Sequence, residues 1–254
     1  MIIEQLLSSL TRDGRVTDVR VGTHWTAVVV SSPEGSFAGL ASTQVVHDVE
    51  HGLPAVRDSG HLIGRKAADL AGLALSESPT ERSIGFATIN ALTEIDEGRC
   101  IHGNAEEFLV ERGRGRRVAI VGHFPFVPRI RDLADECSVL ELNPGIGDLP
   151  ADQAREVIPR ADVVAITGMT LVNGTFEGLA ALIRPDAFSI LLGASVPLVP
   201  ILFGYGLAAI SGTALDDIQG ALRAVSEGAN FRQIPGKRLL TMFEDKWQPQ
   251  SLHP

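Results

Sequence analysis

Residues 118–122 read Val118-Ala119-Ile120-Val121-Gly122, and residues 163–168 read Val163-Val164-Ala165-Ile166-Thr167-Gly168. Both are short apolar runs that close on glycine. Runs of the same kind occur at 139–143, 188–193 and 207–212. A strand with one wet face alternates apolar and polar residues. A strand buried on both faces reads as a continuous apolar run. Between the runs lie segments of helical length at 127–136, 151–158, 175–183 and 214–227, and a short one at 197–203. Strands alternating with helices predict a parallel sheet joined by right-handed crossovers. Residues 111–254 are therefore expected to form a Rossmann-like α/β domain.

Upstream of the first run stands Glu111-Arg112-Gly113-Arg114-Gly115-Arg116-Arg117. Its charge and glycines predict a solvated linker between two domains. Residues 1–110 have a different pattern. Apolar residues at Ile2, Ile3, Leu6, Leu7 and Leu10 have helical spacing, and Asp13-Gly14 ends that run. Segments 16–21 and 26–31 read as a β-hairpin, with a third strand at 37–41. Helices are expected at 62–75 and at 81–92, the second with Pro79-Thr80 just before it. The fold class predicted is α/β, a small α+β domain followed by a parallel-sheet domain.

Composition narrows the function. The chain has 254 residues, which corresponds to one or two domains at ~150 residues each. With 31 acidic and 22 basic residues, its formal charge of −9 argues against general nucleic-acid binding, which needs a basic face. No apolar stretch reaches the ~20 residues of a membrane span, because Gly193, Pro197, Pro200 and Gly204 interrupt the best one. Two cysteines, Cys100 and Cys137, build no disulfide framework, so a reducing cytoplasm is the expected setting.

In an open parallel sheet, ligands bind beyond the carboxyl ends of the strands. The first strand turns through Gly122-His123-Phe124-Pro125-Phe126. A dinucleotide site would need GxGxxG there, and only Gly122 fits. The second strand ends on Glu141, 19 residues after Gly122. An acid near that spacing binds ribose hydroxyls in nucleotide-binding sheets. The other reading is an exposed strand-end acid. A nucleoside without a diphosphate, such as S-adenosylmethionine, satisfies both turns. The third strand end gathers Thr167, Gly168, Thr170, Asn173 and Thr175, either as a polar anchor or as helix caps. At the fourth, Ser195 reads as a helix N-cap, with free amides suited to an anion.

Among the seven histidines, His47 and His51 are four apart, but Gly52 and Pro54 follow at once and favour a loop. Cys100-Ile101-His102 offers one thiolate and one imidazole, too few for structural zinc. His123, at the sheet rim, is a candidate ligand or general acid-base group. Asn90 is an amide in an otherwise apolar helical stretch, so it needs a partner if buried.

Taken together, the strand-end motifs resemble one family. They are Val121-Gly122-His123-Phe124-Pro125, the run from Thr167 to Thr175, Gly193-Ala194-Ser195-Val196-Pro197, and Ser211-Gly212, with Gly85-Phe86-Ala87-Thr88-Ile89-Asn90-Ala91 upstream. The family is a bacterial and archaeal domain of unknown function (number 364), described as "putative heavy-metal chelation". The resemblance implies an enolase-N-terminal-like domain, then a Rossmann-like domain, with an active site in the cleft between them. It implies that Asn90, Gly122, His123, Pro125, Glu141, Thr167, Gly168, Thr170, Asn173, Thr175 and Ser195 line that cleft. His123, Asn90 and Thr170 are then the expected catalytic residues, and His123 and Glu141 the expected donors to a transition metal. This chain has Gly193-Ala194-Ser195 where many relatives carry Gly-Pro-Ser. The function expected is binding of a small molecule or metal complex. A nucleoside-like cofactor is the alternative, and a homodimer is the default assembly.

Overall fold

A computed structural model describes residues 1–44 and 54–248. His47 and His51 lie outside them. Helix α1 (Ile2–Ser8) leads into an antiparallel meander of β1 (Arg15–Val21), β2 (Trp25–Ser32) and β3 (Gly35–Ser42). Two helices follow, α2 (Ala67–Ala71) and α3 (Pro79–Leu92).

The second sheet has eight strands. They are β4 (Cys100–His102), β5 (Arg117–Val121), β6 (Glu136–Glu141), β7 (Leu149–Pro150), β8 (Val163–Thr167), β9 (Phe188–Leu192), β10 (Ala209–Leu215) and β11 (Lys237–Phe243). Their order is β4-β11-β10-β9-β8-β5-β6-β7. The six strands from β7 to β10 run parallel, and β11 and β4 are antiparallel additions at one edge. Counted from β5, the parallel strands lie in the order 3-2-1-4-5-6, that of doubly wound sheets. The chain reverses direction across the sheet between β5 and β8, which makes their carboxyl ends the switch point. Helices α4 (Ala105–Gly113), α5 (Val127–Leu133), α6 (Ala154–Val157), α7 (Met169–Asn173), α8 (Phe176–Ala180) and α9 (Ile218–Ser226) fill the connections.

The continuous apolar runs are explained by burial on both faces. Ala119 and Val121 of β5, with Val164 and Ile166 of β8, join one core cluster. Their alternates, Val118, Ile120, Val163 and Ala165, join another on the opposite face. The valines of β2 follow the same rule in the first sheet. Val28 and Val30 pack in the cluster that contains the α3 side chains, and Ala27 and Val29 pack with Leu222 and Val225 of α9. The last helix of the second unit thus covers the first sheet. One cluster runs from Ile2 through Phe86 to Leu171 and Leu240, so the two units share an apolar core.

Several local expectations change. Residues 62–66 are not helical, because Gly64 N and Arg65 O pair with Val16 of β1 and the helix begins only at Ala67. Helix α3 begins two residues earlier than expected: Ser78 caps it, and Pro79 and Thr80 lie in its first turn. The charged segment 111–117 is not a linker: it comprises the end of α4, a turn through Gly115 and the start of β5. The second sheet already begins at β4, so the passage between the units lies before residue 100. Residues 169–173, between the expected strand and the helix expected from 175, form α7 directly after β8. Among the described residues, no helix is long and apolar enough to cross a membrane.

Candidate functional site

A cavity of about 290 Å³ opens at the carboxyl ends of β5, β6 and β8. That is near the lower end of small-molecule sites, ~300–1,000 Å³. Its apolar walls include Val121, Phe124, Leu140, Leu142, Met169 and Leu179. All its lining residues fall between Val121 and Leu179, within the second unit.

Seven of the expected residues meet there: Gly122, His123, Glu141, Thr167, Thr170, Asn173 and Thr175. Gly122 ends β5 with φ +100°, a conformation that side chains with a Cβ rarely adopt. A Cβ there would also sit 2.9 Å from Thr167 Cβ, so the two strand ends touch at the floor of the cavity. The turn that follows stacks Phe124 on Phe126, ring centroids 4.9 Å apart, and carries bulky side chains where a phosphate cradle needs glycines. Glu141 closes β6, where its Oε2 accepts from the Leu142 amide at 3.2 Å.

The third strand end is more occupied than its composition suggests. The Thr170 hydroxyl donates to the Thr167 carbonyl at 2.7 Å, and Thr167 Oγ1 accepts from Met169 N at 3.3 Å. Asn173 Oδ1 accepts from both the amide and the hydroxyl of Thr175, at 3.1 and 2.7 Å. These groups shape the wall, and the Thr170 and Thr175 hydroxyls and Asn173 Oδ1 are engaged within it.

Four expected residues stand elsewhere. Pro125 is exposed in the turn before α5. Gly168 is needed for close packing, since a Cβ there would meet Val196 Cγ2 at 2.6 Å. Asn90 and Ser195 hold the seam between the units. Asn90 Nδ2 donates to the carbonyls of Leu40 and Ala194 at 2.7 and 3.0 Å. Ser195 Oγ accepts from Ser42 N at 2.8 Å and donates to Ser42 Oγ at 3.2 Å. Ser195 is not an N-cap, because the next helical turn is the 3₁₀ segment Pro200–Tyr205. These bonds join the two units at the seam where the cleft was expected, and the cavity is lined by residues of the second unit.

One residue was missed by sequence reasoning. Asp148, in the loop after β6, keeps only 4% of its side chain exposed. Its carboxylate accepts from Gly145 N at 3.2 Å and Arg131 Nη2 at 3.2 Å, and lies 3.1 Å from His123 Nδ1. Burial pushes this carboxyl up, but the hydrogen bonds from His123, Gly145 and Arg131 outweigh it and hold it below the usual carboxylate range. The turn residues Pro144, Gly145 and Gly147 announce a loop, but nothing local announces its partner 25 residues upstream.

His123 and Glu141 share the cavity. Among the described residues, no group of three or more His, Cys, Asp or Glu side chains could hold an ion. A closed, all-protein transition-metal site, which takes about four ligands, does not fit. Cys100 is half-buried against the core, and burial pushes its thiol up to about 11, followed by the charges of Asp96 and Glu97. It is a poor source of thiolate. Cys137 packs inside β6.

Fold and cavity define a two-sheet α/β protein with a cavity at a strand-end switch point. Sequence profiles described as "putative heavy-metal chelation" match residues 104–243 (domain of unknown function 364) and 3–93 (domain of unknown function 4213). The chain belongs to this family. It is 27% identical over 236 residues to an uncharacterized protein of Methanocaldococcus jannaschii, covering 87% of this chain and 90% of that one. It is similar to the crystal structure of a protein of unknown function from Desulfitobacterium hafniense DCB-2, at TM-score 0.82 and 26% identity over 96% of this chain and 98% of that one. A second crystal structure, from Pyrococcus horikoshii, shares the fold at TM-score 0.80 and 20% identity, with the same coverage.

Proposed function

We propose that this chain binds a small organic ligand of nucleoside size in the β5–β6–β8 cavity, with Glu141 accepting hydrogen bonds from its hydroxyls. The observation that carries this reading is the position of Glu141. It ends the strand next to β5, in a sheet of doubly wound order, beside a first turn that lacks a diphosphate cradle. An acid at that point accepts from a ribose-like diol, and the apolar walls suit a planar base. The volume suits one nucleoside better than a dinucleotide. The Rossmann-like description of the second unit and the enolase-N-like description of the first belong to this proposal. The strand order supports the former, and the meander with its helices supports the latter.

The test is isothermal titration calorimetry with adenosine and S-adenosylmethionine. Saturable heat with the wild-type chain, weakened at least ten-fold by Glu141→Ala, is the expected result; ten-fold corresponds to about 1.4 kcal/mol. No heat with either, or equal affinity in Glu141→Ala, would overturn it.

A second reading keeps the family description. His123, oriented by Asp148, presents its other ring nitrogen, and Glu141 shares its cavity. Two protein donors suit a metal that arrives already held by an organic chelator. In that reading the ligand is a metal complex. Metal content of chelator-free protein, measured by mass spectrometry before and after loading, separates the two.

A further inference from the structure

His123 is half exposed and lines the cavity, while the carboxylate that holds it is almost fully buried. Asp148 receives an amide and a guanidinium besides the imidazole. An ionised carboxylate has no proton to give, so the hydrogen in the His123–Asp148 contact sits on Nδ1. Nε2 then keeps its lone pair, and no hydrogen bond occupies it among the described residues. An exposed imidazole fixed in one tautomer by a buried acid is the arrangement used to make histidine a base.

We propose that His123 is a general base whose Nε2 takes a proton from an O–H group of the ligand in this cavity, with Asp148 as the positioning residue. The ligand O–H bond breaks and an Nε2–H bond forms. The ligand oxygen keeps the electron pair and becomes a stronger donor. The imidazolium charge is opposed by the Asp148 carboxylate, which keeps its own charge because Arg131 and Gly145 continue to bond it. No other reactant is required. The location of the ligand rests on the function proposed above. The state of His123 does not, and it is measurable without a ligand.

Long-range ¹H–¹⁵N correlation spectra of the full chain with labelled histidine, recorded at pH 8, read the tautomer directly. The wild-type chain is expected to show His123 protonated at Nδ1, and Asp148→Ala to lose that signature. Diethyl pyrocarbonate labelling, followed by peptide mass spectrometry, is expected to modify His123 several-fold faster than the exposed His24 and His61. In Asp148→Ala that advantage is lost. Should Asp148→Ala fail to fold, the wild-type tautomer and labelling rates still decide. An Nε2–H tautomer in the wild type, or labelling no faster than His24, would overturn the proposal. Bound adenosine is expected to protect His123 from labelling. Binding of adenosine without protection removes the base role and leaves the ligand site standing. Absence of adenosine binding together with an Nδ1–H tautomer removes the nucleoside reading and leaves the dyad.

Discussion

The side-chain amide of Asn90 donates to the backbone carbonyl of Ala194 at 3.0 Å, across 104 residues of chain and from one unit to the other. The same nitrogen reaches the Leu40 carbonyl at 2.7 Å. One amide therefore ties α3, β3 and the loop after β9 together. Truncation leaves two carbonyls without a donor at a largely buried seam, which costs ~1–3 kcal/mol for an unsatisfied group. Asn90→Ala is expected to lower stability by about that amount in urea unfolding. Ligand affinity at the cavity should not change, because Asn90 does not line it.

Gly39 lies where β3 crosses α3. A Cβ at that position would run into the Ala87 carbonyl and the Ala91 amide, both backbone atoms of the helix. Backbone cannot rotate aside, so Gly39→Ala must separate the strand from the helix. The expected cost is ~1–3 kcal/mol, the range for overpacking a fitted core. A thermal melt indistinguishable from wild type would contradict the packing.

Asp162 joins the starts of β5 and β8. Its carboxylate accepts from the Arg117 side chain at 2.9 and 3.1 Å, from the Arg117 amide at 3.1 Å, and from Arg184 at 3.1 Å. The Arg117 bonds, with Arg184 beside them, hold its carboxyl far below the usual range. A depressed folded-state value means that the stabilisation is complete above the unfolded value, about 3.9, and fades as pH falls below it. Asp162→Asn is expected to be less stable at neutral pH and to lose less between pH 5 and pH 3. Parallel acid-unfolding curves for the two proteins would refute this.

Cys100 tests the half-buried edge of the second sheet. It pairs with Met242 across β4 and β11, and burial pushes its thiol up to about 11. At pH 8 little thiolate is present, and thiolate is the reactive form. Iodoacetamide should modify native Cys100 far more slowly than the unfolded chain. Equal rates would mean that β4 does not stay paired.

Much of the second sheet is legible because burial on both faces writes itself into composition. Val118–Val121 and Val163–Ile166 need no partner to be recognised as strands. The glycine after β5 is legible for a similar local reason, since its φ of +100° excludes most other residues. Glu141 follows from spacing in a doubly wound sheet. The edge strands are less visible. β4 has three residues, too few for a pattern, and β11 runs against the parallel order that the preceding alternation suggests. The charged segment 111–117 misleads because its composition matches a linker, while its backbone closes a helix and opens a strand.

The amino-acid sequence determined the alternation of strands and helices, the missing diphosphate loop and the acid at the strand end. These depend on burial periodicity and spacing, which are properties of neighbouring residues. Tertiary structure decided which polar groups meet. It sent Asn90 and Ser195 to the seam, engaged Thr170 and Asn173 within their own wall, and brought Asp148 to His123. Such pairings join residues distant in sequence. A lone carboxylate or amide has the same local signature whether it caps, bridges or serves a ligand, and only packing distinguishes the three.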